Sequence, residues 1–145
     1  MSELLLLARI AGRRIAFRAL DVNSVVEIDT LTPVPGTPSF VSGLAALRSR
    51  ALTVIDSAKA LELEQATTGL EAIVTEHDGH LYALQVEAVE DVAEALSEPQ
   101  DVRGSVGPGW EHAARGMVES SAGPILLLDA GAIIAGPAHS ALRAA

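Results

Sequence analysis

The sequence contains no cysteine and only four aromatic residues, Phe17, Phe40, Tyr82 and Trp110. The first absence excludes disulfides, thiolate metal sites and cysteine nucleophiles. The second requires an aliphatic core and removes the stacking platforms on which single-stranded nucleic acid binds. Cations are scarce too: 10 Lys and Arg stand against 19 Asp and Glu, a formal net charge of −9. A chain this acidic lacks the footprint of a nucleic-acid binder and is repelled by anionic lipid. Long apolar runs are also missing. Leu4–Ala8 follows Glu3 instead of a basic leader and stops at Arg9, too short for a signal peptide. Ile125–Ala135 is interrupted by Asp129 and falls short of the ~20 residues that span a bilayer. The expectation is a soluble, cytoplasmic protein that neither binds nucleic acid nor inserts into a membrane.

What is present is aliphatic and strand-forming. Hydrophobic residues make up 49% of the 145, enough to exclude disorder and to build one domain or two small joined lobes. Leu4–Ile10 is an apolar run interrupted only by Arg9, Ala11-Gly12-Arg13 reads as a tight turn, and Arg14–Leu20 alternates, so a β-hairpin opens the chain. Asp21–Asp29 spaces Val22, Val25 and Ile28 by three, which suits a bent segment better than a flat strand. Pro33, Pro35 and Pro38 keep the next loop out of any central ladder, because proline lacks the donor. In Phe40–Leu61, two apolar segments flank the basic turn Arg48–Arg50, and Asp56 is placed to cap a helical turn. Glu62–Gly69 is a polar connection. Leu70–Glu76 and Leu81–Val86 are strands around the Asp78-Gly79 step. Glu98–Pro108 reads as a loop, Gly116–Glu119 and Ile125–Leu128 as strands, Ala130–Ala135 as a helical turn, and Gly136–Ala145 as a frayed tail.

Two motifs repeat in order. Leu20-x-Val22-x-x-Val25-x-Glu27-Ile28 recurs as Leu84-x-Val86-x-x-Val89-x-Asp91-Val92, 64 residues later. Val54-Ile55-Asp56 with Leu61 recurs as Leu127-Leu128-Asp129 with Ile134, 73 residues later. The repetition predicts one domain of two similarly wound β lobes, about 15–65 and 80–135, with strand 4–11 exchanged or packed between them. It also overrides a local preference. Glu87–Leu96 has the composition of an amphipathic helix, but as the copy of Val22–Ile28 it should carry strand character.

Few residues suggest chemistry. His77 and His80 flank a predicted turn where a zinc pair is conceivable, but neither they nor His112 and His139 have a further ligand at convincing spacing. Gly104-Ser105-Val106-Gly107 misses the nucleophile-elbow spacing, and Ser120-Ser121 has no base nearby. No phosphate loop or dinucleotide fingerprint occurs, so no catalytic residue, metal or cofactor is assigned. Glu27 and Arg48, each beside apolar residues, admit two readings. They form either a surface salt bridge worth about 0–1 kcal/mol or the lip of a groove where a partner helix docks.

The order VVEI (Val25–Ile28), Pro33–Pro38, Phe40-Val41-x-Gly43-Leu44, Ala46-Leu47-Arg48 and Val54-Ile55-Asp56 resembles the CheW family of bacterial chemotaxis scaffolds. The family core N-L-R-G-x-x-x-P-V-I-D-L is similar to Ala46–Ser57, with Ala46, Ser49, Thr53 and Ser57 as departures. V-D-x-V-x-x-V resembles Val86–Val92, with Glu87 in place of the aspartate. The resemblance implies an all-β fold of two intertwined five-stranded, SH3-like β-barrel lobes with short helical turns, with the partner groove between them. It implies no enzyme activity, and an adaptor joining a chemoreceptor's cytoplasmic tip to the regulatory domain of a CheA-type histidine kinase. The receptor groove it implies comprises Val25, Glu27, Ile28, Gly43, Leu44, Arg48 and Val89. The kinase would meet the outer face of the first lobe, with no contact residues assigned. A divergent scaffold in a non-motility kinase assembly and a small ligand-binding or hydrolase-like β protein are the alternatives.

Overall fold

The computed structural model describes residues 3–102 and 106–137, in which the chain forms ten strands and three short helices. Gly104, Ser105, His139 and the tail beyond Pro137, all weighed above, lie outside the described residues. The first half contributes β1 (Leu4–Ile10), β2 (Arg13–Arg18), a 3-10 turn at Ala19–Asp21, β3 (Ser24–Glu27), β4 (Val41–Leu47), β5 (Arg50–Asp56) and α1 (Ser57–Ala60). The second half contributes β6 (Glu71–His77), β7 (His80–Gln85), β8 (Ala88–Glu94), α2 (Pro108–Ala113), β9 (Ala114–Ser120), β10 (Gly123–Leu128) and α3 (Ala130–Ala135).

Each half is a hairpin followed by three strands, and each hairpin pairs with the strands of the other half. One sheet has the order β3-β6-β7-β5-β4 and the other β8-β1-β2-β10-β9. We call them lobe 1 and lobe 2. A parallel pair seats the donated hairpin in both: β5 against β7 and β10 against β2. The chain therefore does not divide into contiguous lobes at 15–65 and 80–135. β2 belongs to lobe 2 and β7 to lobe 1, because an antiparallel hairpin travels as a unit.

Local chemistry explains the elements. Ala11-Gly12 takes φ of +50° and +80°, and Asp78-Gly79 takes +51° and +81°, the primed turn that matches strand twist in a two-residue hairpin. β1 is apolar apart from Arg9 because both faces of its central residues are covered. Leu5 and Leu7 point into lobe 2, while Ala8 and Ile10 enter a core shared by the two sheets. Phe17, Ile55, Ile73, Leu84, Trp110, Leu128 and Ile133 complete that shared core. Lobe 1 has its own interior of Ile28, Leu52, Val54, Ala72, Val74 and Ala83.

Asp56 and Asp129, matched by the repeat, cap α1 and α3 by accepting from Lys59 N–H (3.2 Å) and Gly131 N–H (2.9 Å). β8 is a strand, as the repeat predicts and composition does not. Asp21–Asp29 resolves into a 3-10 turn followed by a short strand. The sequence reading assigns nothing to residues 109–113, where α2 begins with Pro108 at its first turn and buries Trp110. The lobes are curled sheets that fall short of closed barrels. Their first and last strands meet only through isolated bridges.

Candidate docking surface

β3 is an edge strand, and its side chains alternate between the lobe interior and solvent. Val26 and Ile28 pack inward, Ile28 being only 7% exposed, while Val25 and Glu27 face outward, Val25 at 42%. β4 lies across an open seam. Ala45 and Leu47 pack against the interior, and Leu44, 38% exposed, points outward with Ala46. Val26, Glu27, Ile28, Asp29 and Thr30 face Ala45, Ala46, Leu47 and Leu52 around a cavity of about 260 Å³.

Arg48 and Ser49 form the β4–β5 turn at φ of +50° and +69°. Ser49 thus adopts the positive φ that glycine would take most easily, and the turn keeps the primed geometry at a cost in strain. Gly43 is buried at φ +148°, and a Cβ there would lie 2.4 Å from the Thr32 carbonyl oxygen. Its presence is demanded by the backbone.

The seven residues named from sequence therefore separate. Val25, Glu27, Leu44 and Arg48 are exposed on lobe 1, Ile28 and Gly43 support them from inside, and Val89 sits on β8 of lobe 2, half-buried against the shared core. Glu71, opposite Glu27 in the β3–β6 register, links Val89 to this surface by accepting its N–H at 3.1 Å. Among the described residues no ion pair joins Glu27 to Arg48, so the salt-bridge reading does not hold. The exposed large apolar side chains outside that set are Leu4, Leu20, Leu31, Leu70, Val92 and Leu96. Leu4 and Val92 lie on paired strands of lobe 2, one β1 run being too uniformly apolar to reveal which end stays uncovered.

The ion pairs gather elsewhere. Arg18 binds Glu3 through two hydrogen bonds, of 3.0 and 2.8 Å, and holds its carboxyl below the usual range. Glu90 accepts from Arg14 and Arg9, whose guanidiniums hold its carboxyl low in the same way. Arg115 lies between Asp21 and Asp129, at 3.9 and 3.8 Å.

Asp56 is the sole buried ionisable side chain among the described residues, and the α1 cap and Thr67 account for it. His77 contacts Asp78 at 3.5 Å and meets the Tyr82 ring edge-on, and no group of three or more metal-ligating side chains occurs among the described residues. His112 Nε2 donates to the Gly136 carbonyl.

The CheW-like domain family matches residues 4–137. The chain belongs to that family. CheW-like proteins are scaffold or coupling proteins rather than enzymes, and this chain is a CheW-like scaffold. Its fold is similar to that of the scaffolding protein TtCheW from Thermoanaerobacter tengcongensis, with a TM-score of 0.77 and 22% identity over 89% of this chain and 90% of that one. At that identity the likeness concerns the fold. No curated protein sequence matches the chain. No helix among the described residues is long and apolar enough to cross a membrane.

Proposed function

We propose that this protein is a cytoplasmic adaptor that couples chemoreceptors to a CheA-type histidine kinase through protein contacts, with no catalysis of its own. The observation that carries the reading is the exposed set Val25, Glu27, Leu44 and Arg48 on lobe 1 of a CheW-like chain, beside Val89 at the junction of the lobes. Apolar side chains flanked by unpaired charges suit a helical receptor tip. The kinase's regulatory domain would then meet the outer face of lobe 1, and the effect on phosphoryl transfer would be positional.

Calorimetric titration against the regulatory domain of a CheA-type kinase from the same genome tests the reading. Saturable binding supports it, and no binding to any such kinase removes it. Arg48→Glu should weaken receptor-tip binding about tenfold, or ~1.4 kcal/mol, while the melting temperature holds. If that variant binds the tip as well as the parent, the groove has been misplaced.

A further inference from the structure

Lobe 2 shows what the seam of lobe 1 lacks. β8 is seven residues long, and the chain after it stays on β9 through the bridges Ala95–Ser120 and Gln100–Met117. Leu96 N–H donates to the Glu119 carbonyl at 2.7 Å and Ser121 N–H to that of Glu94 at 2.9 Å. β3 is only four residues long. The chain leaves β4 uncovered until Thr32, which exchanges two bonds with Leu44, at 2.9 and 2.8 Å. Along an antiparallel strand the outward peptide groups alternate. Ala46 is therefore the next residue of β4 to present its N–H and C=O to the seam, and no backbone group among the described residues meets them. Ile28 N–H is bonded to Leu70, so by the same alternation Glu27 presents its peptide group from the other side.

The cavity beneath this edge, about 260 Å³, has Val26, Ile28, Leu52, Ala45 and Leu47 as its apolar lining. That is room for one large side chain. Its β3 rim is acidic, with exposed Glu27 and Asp29. A second copy of this chain would bring the same acids and another net charge of −9, which disfavours self-pairing.

We propose that the seam takes a short extended segment of a partner protein, paired as a strand with Ala46. It seats one large apolar side chain in the cavity and sets a lysine or arginine beside Glu27 and Asp29. This is strand addition to an unpaired edge, and it does not depend on the adaptor reading.

The probe is a displayed library of random heptapeptides panned against the whole protein. Expected winners alternate apolar and polar residues and carry Lys or Arg next to a large apolar one. Ala46→Pro removes the outward N–H while leaving the β4–β5 ladder intact, and should weaken these peptides at least tenfold. Asp29→Lys, at an exposed position on the rim, should weaken them severalfold at low salt and serves if the proline variant fails to fold. Winners with a helical pattern, winners indifferent to both variants, or no enrichment would overturn the proposal. So would self-association through this edge in sedimentation. Kinase and receptor-tip binding by Ala46→Pro, measured in parallel, separates failure here from failure of the adaptor reading.

Discussion

Lobe 1 and lobe 2 share one strand order and one way of receiving a hairpin, yet their edges are finished differently. In lobe 2 the segment after the long β8 stays hydrogen-bonded to β9, and arginine–glutamate pairs clamp both ends of the β1–β2 hairpin. In lobe 1 the short β3 leaves β4 partly unpaired, and apolar side chains flank the gap. What the copies retain is backbone necessity. Gly43 and Gly116 both sit at positive φ, +148° and +144°, beside a close carbonyl, and Asp56 and Asp129 both cap helices. What they do not share is edge pairing. A duplicated scaffold can thus hold its core by repetition and leave one copy's edge open.

The largest expected effect tests the shared part. Gly43→Ala and Gly116→Ala should each cost about 3 kcal/mol, because each Cβ would lie within 2.5 Å of a backbone oxygen. Urea denaturation would show it, and a large inequality between the two would break the equivalence of the lobes.

The caps should then separate them. Asp56 accepts from Lys59 N–H, Thr67 N–H and the Thr67 hydroxyl while buried, so Asp56→Ala should cost about 2–3 kcal/mol. Asp129 is half-exposed and caps with one N–H, so Asp129→Ala should cost about 0.5–1 kcal/mol by the same measurement. Equal losses would mean that the Thr67 tether contributes nothing.

A smaller effect runs the other way. Ser49→Gly should stabilise lobe 1 by up to about 1 kcal/mol, by relieving a left-handed serine. A lower melting temperature would show that the serine turn is not strained.

The smallest effect belongs to lobe 2. Glu3 and Glu90 titrate below their ordinary value of 4.5, held by Arg18 and by Arg14 with Arg9. Carboxyls lowered in the folded state add stability above the ordinary value, and that stability is lost as pH falls through the lowered one. The difference between the parent and the Glu3→Gln, Glu90→Gln double variant should therefore be small at neutral pH and vanish in acid. A difference that persists in acid would place the effect in packing rather than in charge.

Much of the fold was legible because its signals are local. Gly12 and Gly79 announce turns, and Asp56 and Asp129 announce helix starts. The repeat at Val86–Val92 identified a strand where composition favoured a helix. α2 had a signal that went unused, Pro108 following Gly107, since proline is well suited to a helix's first turn. The candidate docking residues were legible only as positions. Their separation into exposed Val25, Glu27, Leu44 and Arg48 and buried Ile28 and Gly43 follows from strand parity, which needs the register.

By itself, the sequence determined an aliphatic two-lobed β protein with no thiol chemistry, an acidic surface and two related halves. Periodicity, turn residues and charge are properties of neighbours along the chain. Only the tertiary structure decided which hairpin enters which lobe, that Glu27 and Arg48 stand unpaired, and that β4 keeps an open edge. Those outcomes depend on pairing between residues far apart in sequence, where burying both faces of β1 and leaving β3 short are settled by the competition of whole sheets for one shared core.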